Sequence, residues 1–217
     1  MKAVLFDLDN TLYPAERDLF SLIDVRINRY MEDIVQIDPG AVDGLRRRYW
    51  HDYGATLQGL IRHHGVNAED YLDYVHAVDV SSRLSYDLVL QQALTDLRLP
   101  CYVFTNGSRC HVERVLAALG LVGLFADVFD IRIADYQPKP NPDPYLQVLK
   151  RLELEGHQCI MVEDQHKNLK TAKQFGMKTV LVGSAREEEK KLSYVDAHIE
   201  KTADIGILVN DWIPLAS

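Results

Sequence analysis

The chain has 217 residues, 24 Lys or Arg against 32 Asp or Glu, and a formal net charge of −8. With 47% hydrophobic and 26% charged residues, and only 12 glycines and 8 prolines, it has globular composition, which excludes a mainly disordered, fibrous or low-complexity chain. The acidic balance argues against a nucleic-acid polymer as partner. The longest run free of charged residues, 115–126, falls short of the roughly 20 that a membrane-spanning helix needs, so no membrane is expected either.

The first β-rich run covers residues 2–6 and stops at Asp7, before an export signal could form. The cytoplasm is the expected compartment. Cys101, Cys110 and Cys159 have no C-x-x-C spacing, so no zinc knuckle or redox pair is expected. The next β-rich run begins only at 101, and the stretch between reads as helices. Leu19, Leu22, Ile23, Ile27, Tyr30, Met31 and Ile34 form one apolar stripe, and Leu90, Ala93, Leu94 and Leu97 form another. About 70 residues are far more than a crossover needs. Residues 15–85 therefore read as an inserted all-helical cap, with 1–14 and 86–217 as the core and the helix ending at Leu97 returning to it. Within the cap, Arg46-Arg47-Arg48 reads as a solvated helix face that could also meet an anionic substrate, and His63 and His64 read as solvated surface. Tyr13, Trp50 and Tyr53 read as packing between cap helices, with stacking on a base as the alternative.

Further strands are expected over 101–104, 128–133, 159–162 and 179–182, with a weaker one at 197–199. None alternates strictly, as suits strands buried on both faces of a parallel sheet. Between them, Val112, Val115, Leu116 and Leu119 keep helical spacing up to Gly120, and Leu169, Ala172 and Phe175 up to Gly176. Strands alternating with helices give an α/β class, a doubly wound, Rossmann-like parallel sheet.

Four chemical signals follow four of these strands. Asp7 and Asp9 project to one side of an extended segment, where their mutual repulsion calls for a cation such as Mg²⁺. A turn at Asp9-Asn10 with Asp7 as a helix cap accounts for the same run. Thr105-Asn106-Gly107-Ser108 stands between a strand and a helix, where free N–H groups and a hydroxyl make an anion site or an ordinary cap. Four prolines flank Lys139 and fix its backbone, either to hold a cation or as a rigid surface loop. Glu163-Asp164 ends a strand as metal ligands or as helix-capping acids. Ligands of open α/β sheets bind at the carboxyl ends of the strands. Acidic metal ligands, anion-binding amides, a hydroxyl and one lysine gathered there make a site for phosphoryl transfer assisted by Mg²⁺.

Through Asp7-Leu8-Asp9-Asn10-Thr11, Thr105, Lys139 and Glu163-Asp164, in that order, the chain resembles the haloacid dehalogenase-like hydrolases along nearly its whole length. More narrowly, F-D-L-D-N-T-L-Y-P at 6–14, F-T-N-G-S at 104–108, K-P-N-P at 139–142 and Y-V-H-A-V-D at 74–79 resemble the pyrimidine 5′-nucleotidase branch. The resemblance implies Mg²⁺-dependent hydrolysis of a small phosphate monoester, a nucleoside 5′-monophosphate first, through an aspartyl-phosphate. Asp7 would be the nucleophile, and Asp9 the general acid and then the base. Mg²⁺ would lie between the Asp7 carboxylate, the Asp9 backbone carbonyl and the Asp164 carboxylate. Thr105, the Asn106 N–H and Lys139 would hold the phosphoryl oxygens. Glu163 stands where many of that branch have Asp. Sugar-phosphate phosphatases and phosphomutases share these motifs. A dehalogenase would have no use for Asp9, because no leaving oxygen needs a proton. A phospho-accepting or ligand-binding signalling protein is the non-enzyme alternative.

Overall fold

Strands β1 (Ala3–Phe6), β2 (Cys101–Phe104), β3 (Asp127–Phe129), β4 (Cys159–Glu163), β5 (Lys178–Val182) and β6 (Ala197–Ile199) lie parallel in one sheet. Their order is β3-β2-β1-β4-β5-β6. The computed structural model describes residues 1–184 and 187–212. Between β1 and β2 come α1 (Leu19–Arg29), α2 (Pro39–Tyr53), α3 (Thr56–His64), α4 (Ala68–Val75) and α5 (Leu88–Asp96). The rest of the chain supplies α6 (Arg109–Leu119), α7 (Pro142–Leu152), α8 (His166–Gln174), the short α9 (Glu187–Lys190) and α10 (Ile205–Trp212).

Every residue of β1 and β4 is buried, as the unbroken apolar runs require. Val4 and Phe6 face a cluster with Leu90 and Leu94 of α5, Val112 and Val115 of α6 and Val209 of α10. Ala3 and Leu5 face the other side, against Tyr145 and Val148 of α7 and Leu169 of α8. The sheet is thus covered on both faces, and α5 returns to it as expected. A third cluster lies in the insertion, where Ile27, Met31, Val42, Leu60 and Leu72 pack together. This is a Rossmann-like core with a helical cap. Among the described residues no helix is long and apolar enough to cross a membrane.

Two expectations are corrected. The strand read over 128–133 ends at Phe129, and Ile131–Ala134 forms a 3₁₀ turn. Asp130 causes the break, since its carboxylate accepts the Arg109 and Arg132 backbone N–H groups at 2.9 and 3.1 Å. The stripe through α1 does not run on to Ile34 either. A π turn over Tyr30–Ile34 winds the chain wider, and Ile34 is 57% exposed.

Candidate active site

The site forms where the chain leaves β1. This strand pairs with β2 on one side and β4 on the other, with Phe6 level with Val103 and Val162. The Asp7 N–H donates to the Val162 carbonyl at 2.9 Å, so the ladder carries Asp7 to the sheet's carboxyl edge. Chain connectivity reverses direction between β1 and β4, which is where such sheets open a crevice. Leu8 points into the core while Asp7 and Asp9 line a cleft, the alternation expected of an extended segment. Asn10 then takes a left-handed φ of 60° and turns the chain away.

Lys139 is the hub. It is 1% exposed, and its ammonium donates to Asp7 Oδ1 at 2.7 Å, Glu163 Oε2 at 2.8 Å and the Phe104 carbonyl at 2.7 Å. Burial opposes that charge, and the two carboxylates override it, holding the lysine above its ordinary value. Asn106 clamps the lysine's backbone from β2's end, its Oδ1 accepting from Lys139 N at 2.8 Å and its Nδ2 donating to Lys139 O at 3.1 Å. The Thr105 hydroxyl accepts the Gly107 N–H at 3.0 Å, which leaves its own proton free to donate. Glu163 also accepts from Asn168 Nδ2 at 2.9 Å and the Gln165 N–H at 3.2 Å, so both its oxygens are engaged within the protein. Asp164 accepts from the Gln165 amide at 2.8 Å and also interacts with the Glu163 carboxyl.

Carboxylate oxygens of Asp7, Glu163 and Asp164 lie within 4.8 Å of one another. Burial and the Glu163 charge push Asp7 up to about 7, burial pushes Glu163 up to about 7, and burial with Asp7 raises Asp164. One lysine among three carboxylates leaves the site short of positive charge. Hard oxygen donors in that state fit a divalent cation such as Mg²⁺.

Asp9 has separate partners. Its Oδ1 accepts from the Tyr13 hydroxyl at 2.6 Å and lies 2.8 Å from His111 Nε2. Burial alone would raise its carboxyl, but His111 and Tyr13 outweigh that and lower it. Burial and the Asp9 charge keep Tyr13 protonated. His111 stacks on His76 with ring centroids 4.6 Å apart. His76 Nδ1 lies 3.0 Å from Ser108 Oγ, and burial with His111 pushes its imidazole down to about 3, so it stays neutral. Sequence reading missed this network. Tyr13 does not pack between cap helices: its ring joins the sheet cluster and its hydroxyl reaches Asp9. Its place four residues after Asp9 was the available signal; His111, 102 residues away, gave none.

A cleft of about 780 Å³ opens between this cluster and the cap. Asp7, Thr105, Asn106 and Lys139 line its floor. Ile23, Ile27, Trp50, Tyr53 and Tyr71 line the cap side. Trp50 is half exposed, and the Lys167 ammonium of α8 sits 4.6 Å from its ring centroid. Arg46 and Arg47 also line the cleft. Arg46 is not a purely solvated residue, since Asn28 Oδ1 accepts from it at 2.7 Å and Asp24 pairs with it. His63 and His64 are exposed as expected, each beside a tyrosine hydroxyl.

The fold and this edge of the sheet define a class. Residues 1–176 match the family model of the haloacid dehalogenase-like hydrolases, and the chain belongs to that family. It is 29% identical over 230 residues to the phosphoglycolate phosphatase of Rhodospirillum rubrum, covering 98% of this chain and 90% of that protein. It is 24% identical over 197 residues to Phosphate metabolism protein 8 of Saccharomyces cerevisiae, covering 83% of this chain but only 61% of the yeast protein's length. The fold is also that of L-2-haloacid dehalogenase from Xanthobacter autotrophicus, with a TM-score of 0.64 at 20% identity over 98% of this chain and all of that one.

Proposed function

We propose that the chain is a Mg²⁺-dependent phosphatase of small phosphate monoesters that works through an aspartyl-phosphate. The observation that carries this reading is the Asp7–Lys139–Glu163 cluster at the strand ends, with the Thr105 hydroxyl beside it in the cleft. The phosphatase among its relatives supports the same reaction class.

In this reading Asp7 attacks phosphorus through Oδ2, because Oδ1 is held by Lys139 while Oδ2, among the described residues, has only the Thr11 hydroxyl at 3.4 Å. Asp9 gives its proton to the leaving oxygen, and the alcohol departs. The resulting Asp9 carboxylate takes a proton from the water that attacks the phosphorus, which frees Asp7 and inorganic phosphate. Thr105 and the Asn106 N–H hold the phosphoryl oxygens in place, and Lys139, whose three N–H groups are given to Asp7, Glu163 and Phe104, attracts them by its charge. The Asp7 and Asp164 carboxylates and the Asp9 backbone carbonyl would hold Mg²⁺, which neutralises charge on the transferring phosphoryl group. Residues 15–85 serve as the cap over this site. The insertion's own apolar cluster supports that division, although Ile131 of the core joins it and Leu19, Val80 and Leu84 pack with the sheet cluster.

The aromatic cap wall of Trp50, Tyr53 and Tyr71 favours a substrate with a flat ring, a pyrimidine 5′-monophosphate first. Arg46 and Arg47 on the same wall favour a second reading, a sugar or hydroxy-acid phosphate with a further anionic group. Phosphate release across a panel of both kinds of ester tests the substrate class. Acid quench with a radiolabelled substrate, followed by hydroxylamine, tests the intermediate. An enzyme that turns over without trapped label, or whose Asp7→Asn variant stays active, would overturn the mechanism.

A further inference from the structure

The two oxygens of Asp9 have different surroundings. Oδ1 takes both close contacts, with Tyr13 at 2.6 Å and His111 at 2.8 Å. Oδ2 lies on the Gly107 side of the cleft, 3.8 Å from where a Cβ on that glycine would stand. His111 is wholly buried, and its Nδ1 meets no partner among the described residues. A hydrogen there would be a buried donor with nothing to receive it, so the network assigns the hydrogen to Nε2, aimed at Asp9. Tyr13, as a phenol, donates to the same oxygen. Two donated hydrogens fill Oδ1.

We propose that Tyr13 and His111 are positioning residues that fix which oxygen of Asp9 does acid–base work. A proton on Oδ1 would crowd against two donor hydrogens, so any proton that Asp9 takes up for the acid step sits on Oδ2, the oxygen on the Gly107 side. Without them, the carboxyl can turn its proton away from the substrate. The cap takes part, because His76, just past the end of α4, stacks on His111 and fixes its ring plane. Ser108 meets His76 Nδ1, and Arg114 donates to its carbonyl at 2.6 Å. Cap docking and orientation of the acid are one contact set. The proposal rests on the reading of Asp9 as the general acid, and its test separates the two.

The test compares Tyr13→Phe, His111→Leu and His111→Gln with wild type on a pyrimidine 5′-monophosphate and on p-nitrophenyl phosphate. An alkyl leaving oxygen needs the proton, whereas nitrophenolate leaves without it. Tyr13→Phe and His111→Leu each lower kcat on the nucleotide by about tenfold or more, a share of the 10²–10⁴ that general acid–base help supplies. Their phosphorylation rate on the aryl ester and their KM stay close to wild type. His111→Gln, which keeps an N–H within reach, restores most of the nucleotide rate. Equal losses on both esters, or no loss on the nucleotide, overturn the proposal. Tyr13→Phe, which deletes one hydroxyl, carries the test if a buried His111 variant fails to fold. Independently of turnover, proton–nitrogen NMR of His111 reads a hydrogen on Nε2 that shifts in Tyr13→Phe. A hydrogen on Nδ1 overturns the proposal whatever the protein hydrolyses. A wild type that releases phosphate from no ester sinks the phosphatase reading instead.

Discussion

Asn106 and Lys139 grip each other through two hydrogen bonds, the amide oxygen on the lysine's N–H at 2.8 Å and the amide nitrogen on its carbonyl at 3.1 Å. Asn106, two residues past the end of β2, thereby sets the height at which the lysine's stem starts toward Asp7. Asn106→Ala removes both bonds, which costs about 1–3 kcal/mol of stability at roughly 1 kcal/mol per bond. The rate should suffer more, on the order of 10², because misplacing a catalytic group by about 1 Å has that effect. Urea unfolding beside steady-state kinetics checks this. A rate loss no larger than the stability loss predicts would leave Asn106 without a role in aligning Lys139.

The charge deficit makes a signed prediction for the metal-free protein. Asp7 and Glu163 are both pushed up to about 7 in the folded chain, from ordinary values of 3.8 and 4.5. The folded state therefore keeps protons that the unfolded chain has released. Their contribution to stability is full below about pH 4 and is lost as the pH climbs to 7. Melting in chelator should fall through that window, and Mg²⁺ should raise it again at neutral pH. Lys139→Met leaves the two buried acids uncompensated, so it should steepen the fall and cost about 3–5 kcal/mol at neutral pH. A chelated protein whose melting temperature is flat or rising across that range would contradict the charge assignment.

The acidic pair at the end of β4 separates into two jobs. Glu163 is 1% exposed and tied to Lys139, Asn168 and Gln165, whereas Asp164 is held by the Gln165 side chain and its neighbour Glu163 and has no hydrogen bond to Lys139 or Asn168 among the described residues. Asp164→Asn should raise the Mg²⁺ concentration needed for half activity by about tenfold or more, equivalent to about 1.4 kcal/mol, with little loss of stability. Glu163→Gln should do the reverse and lower the melting temperature first. Metal titrations with thermal scans on both variants decide it, and a larger metal effect from Glu163 would exchange the roles.

The contrast between Glu163 and Tyr13 marks where sequence reading stops. Asp7 and Thr105 directly follow β1 and β2, and Glu163 ends β4, so they were legible because a parallel sheet brings strand ends together at one edge whatever the loops do. Lys139, in the loop beyond the 3₁₀ turn after β3, was legible from its flanking prolines. Tyr13, His76 and His111 meet through packing between segments far apart in the chain. Each looks locally like an ordinary aromatic on a helix or turn. Asp130 explains the misread third strand in the same way. Val128, Phe129, Ile131 and Ile133 carry a strand pattern, but two backbone N–H groups bound to one carboxylate end it. One of those donors, Arg109, lies 21 residues earlier, beyond the reach of a local pattern.

Packing of the cap makes a prediction against helix propensity. Gly59 lies inside α3, where alanine ordinarily gains up to about 1 kcal/mol. A Cβ there would stand 2.0 Å from the Tyr49 ring of α2. That is far inside contact distance, and Tyr49 is buried in the cap cluster with little room to move. Overpacking of about 1–3 kcal/mol should win, so Gly59→Ala destabilises the protein. Denaturant melts measure the sign, and a stabilised variant would mean that α2 and α3 do not pack this closely in solution.

Asp9 itself gives the most discriminating kinetic test. An alkyl or nucleoside leaving group needs a proton as the ester bond breaks, and general acid help is worth about 10²–10⁴. Nitrophenolate is a stable anion and needs little help. Asp9→Asn should therefore lose far more phosphorylation rate on a nucleoside monophosphate than on an aryl phosphate. Breakdown of the aspartyl-phosphate should be slow with either substrate, since the attacking water has lost its base. With the aryl ester, rapid mixing should reveal a burst of one equivalent of nitrophenolate followed by slow turnover. The amide keeps the contacts near Tyr13 and His111, so folding should change little. Asp7→Asn, lacking the nucleophile, should give neither burst nor turnover. Equal slowing for both leaving groups, with no burst, would restrict Asp9 to holding the metal through its backbone carbonyl, and both its acid–base role and the positioning by Tyr13 and His111 would fall together.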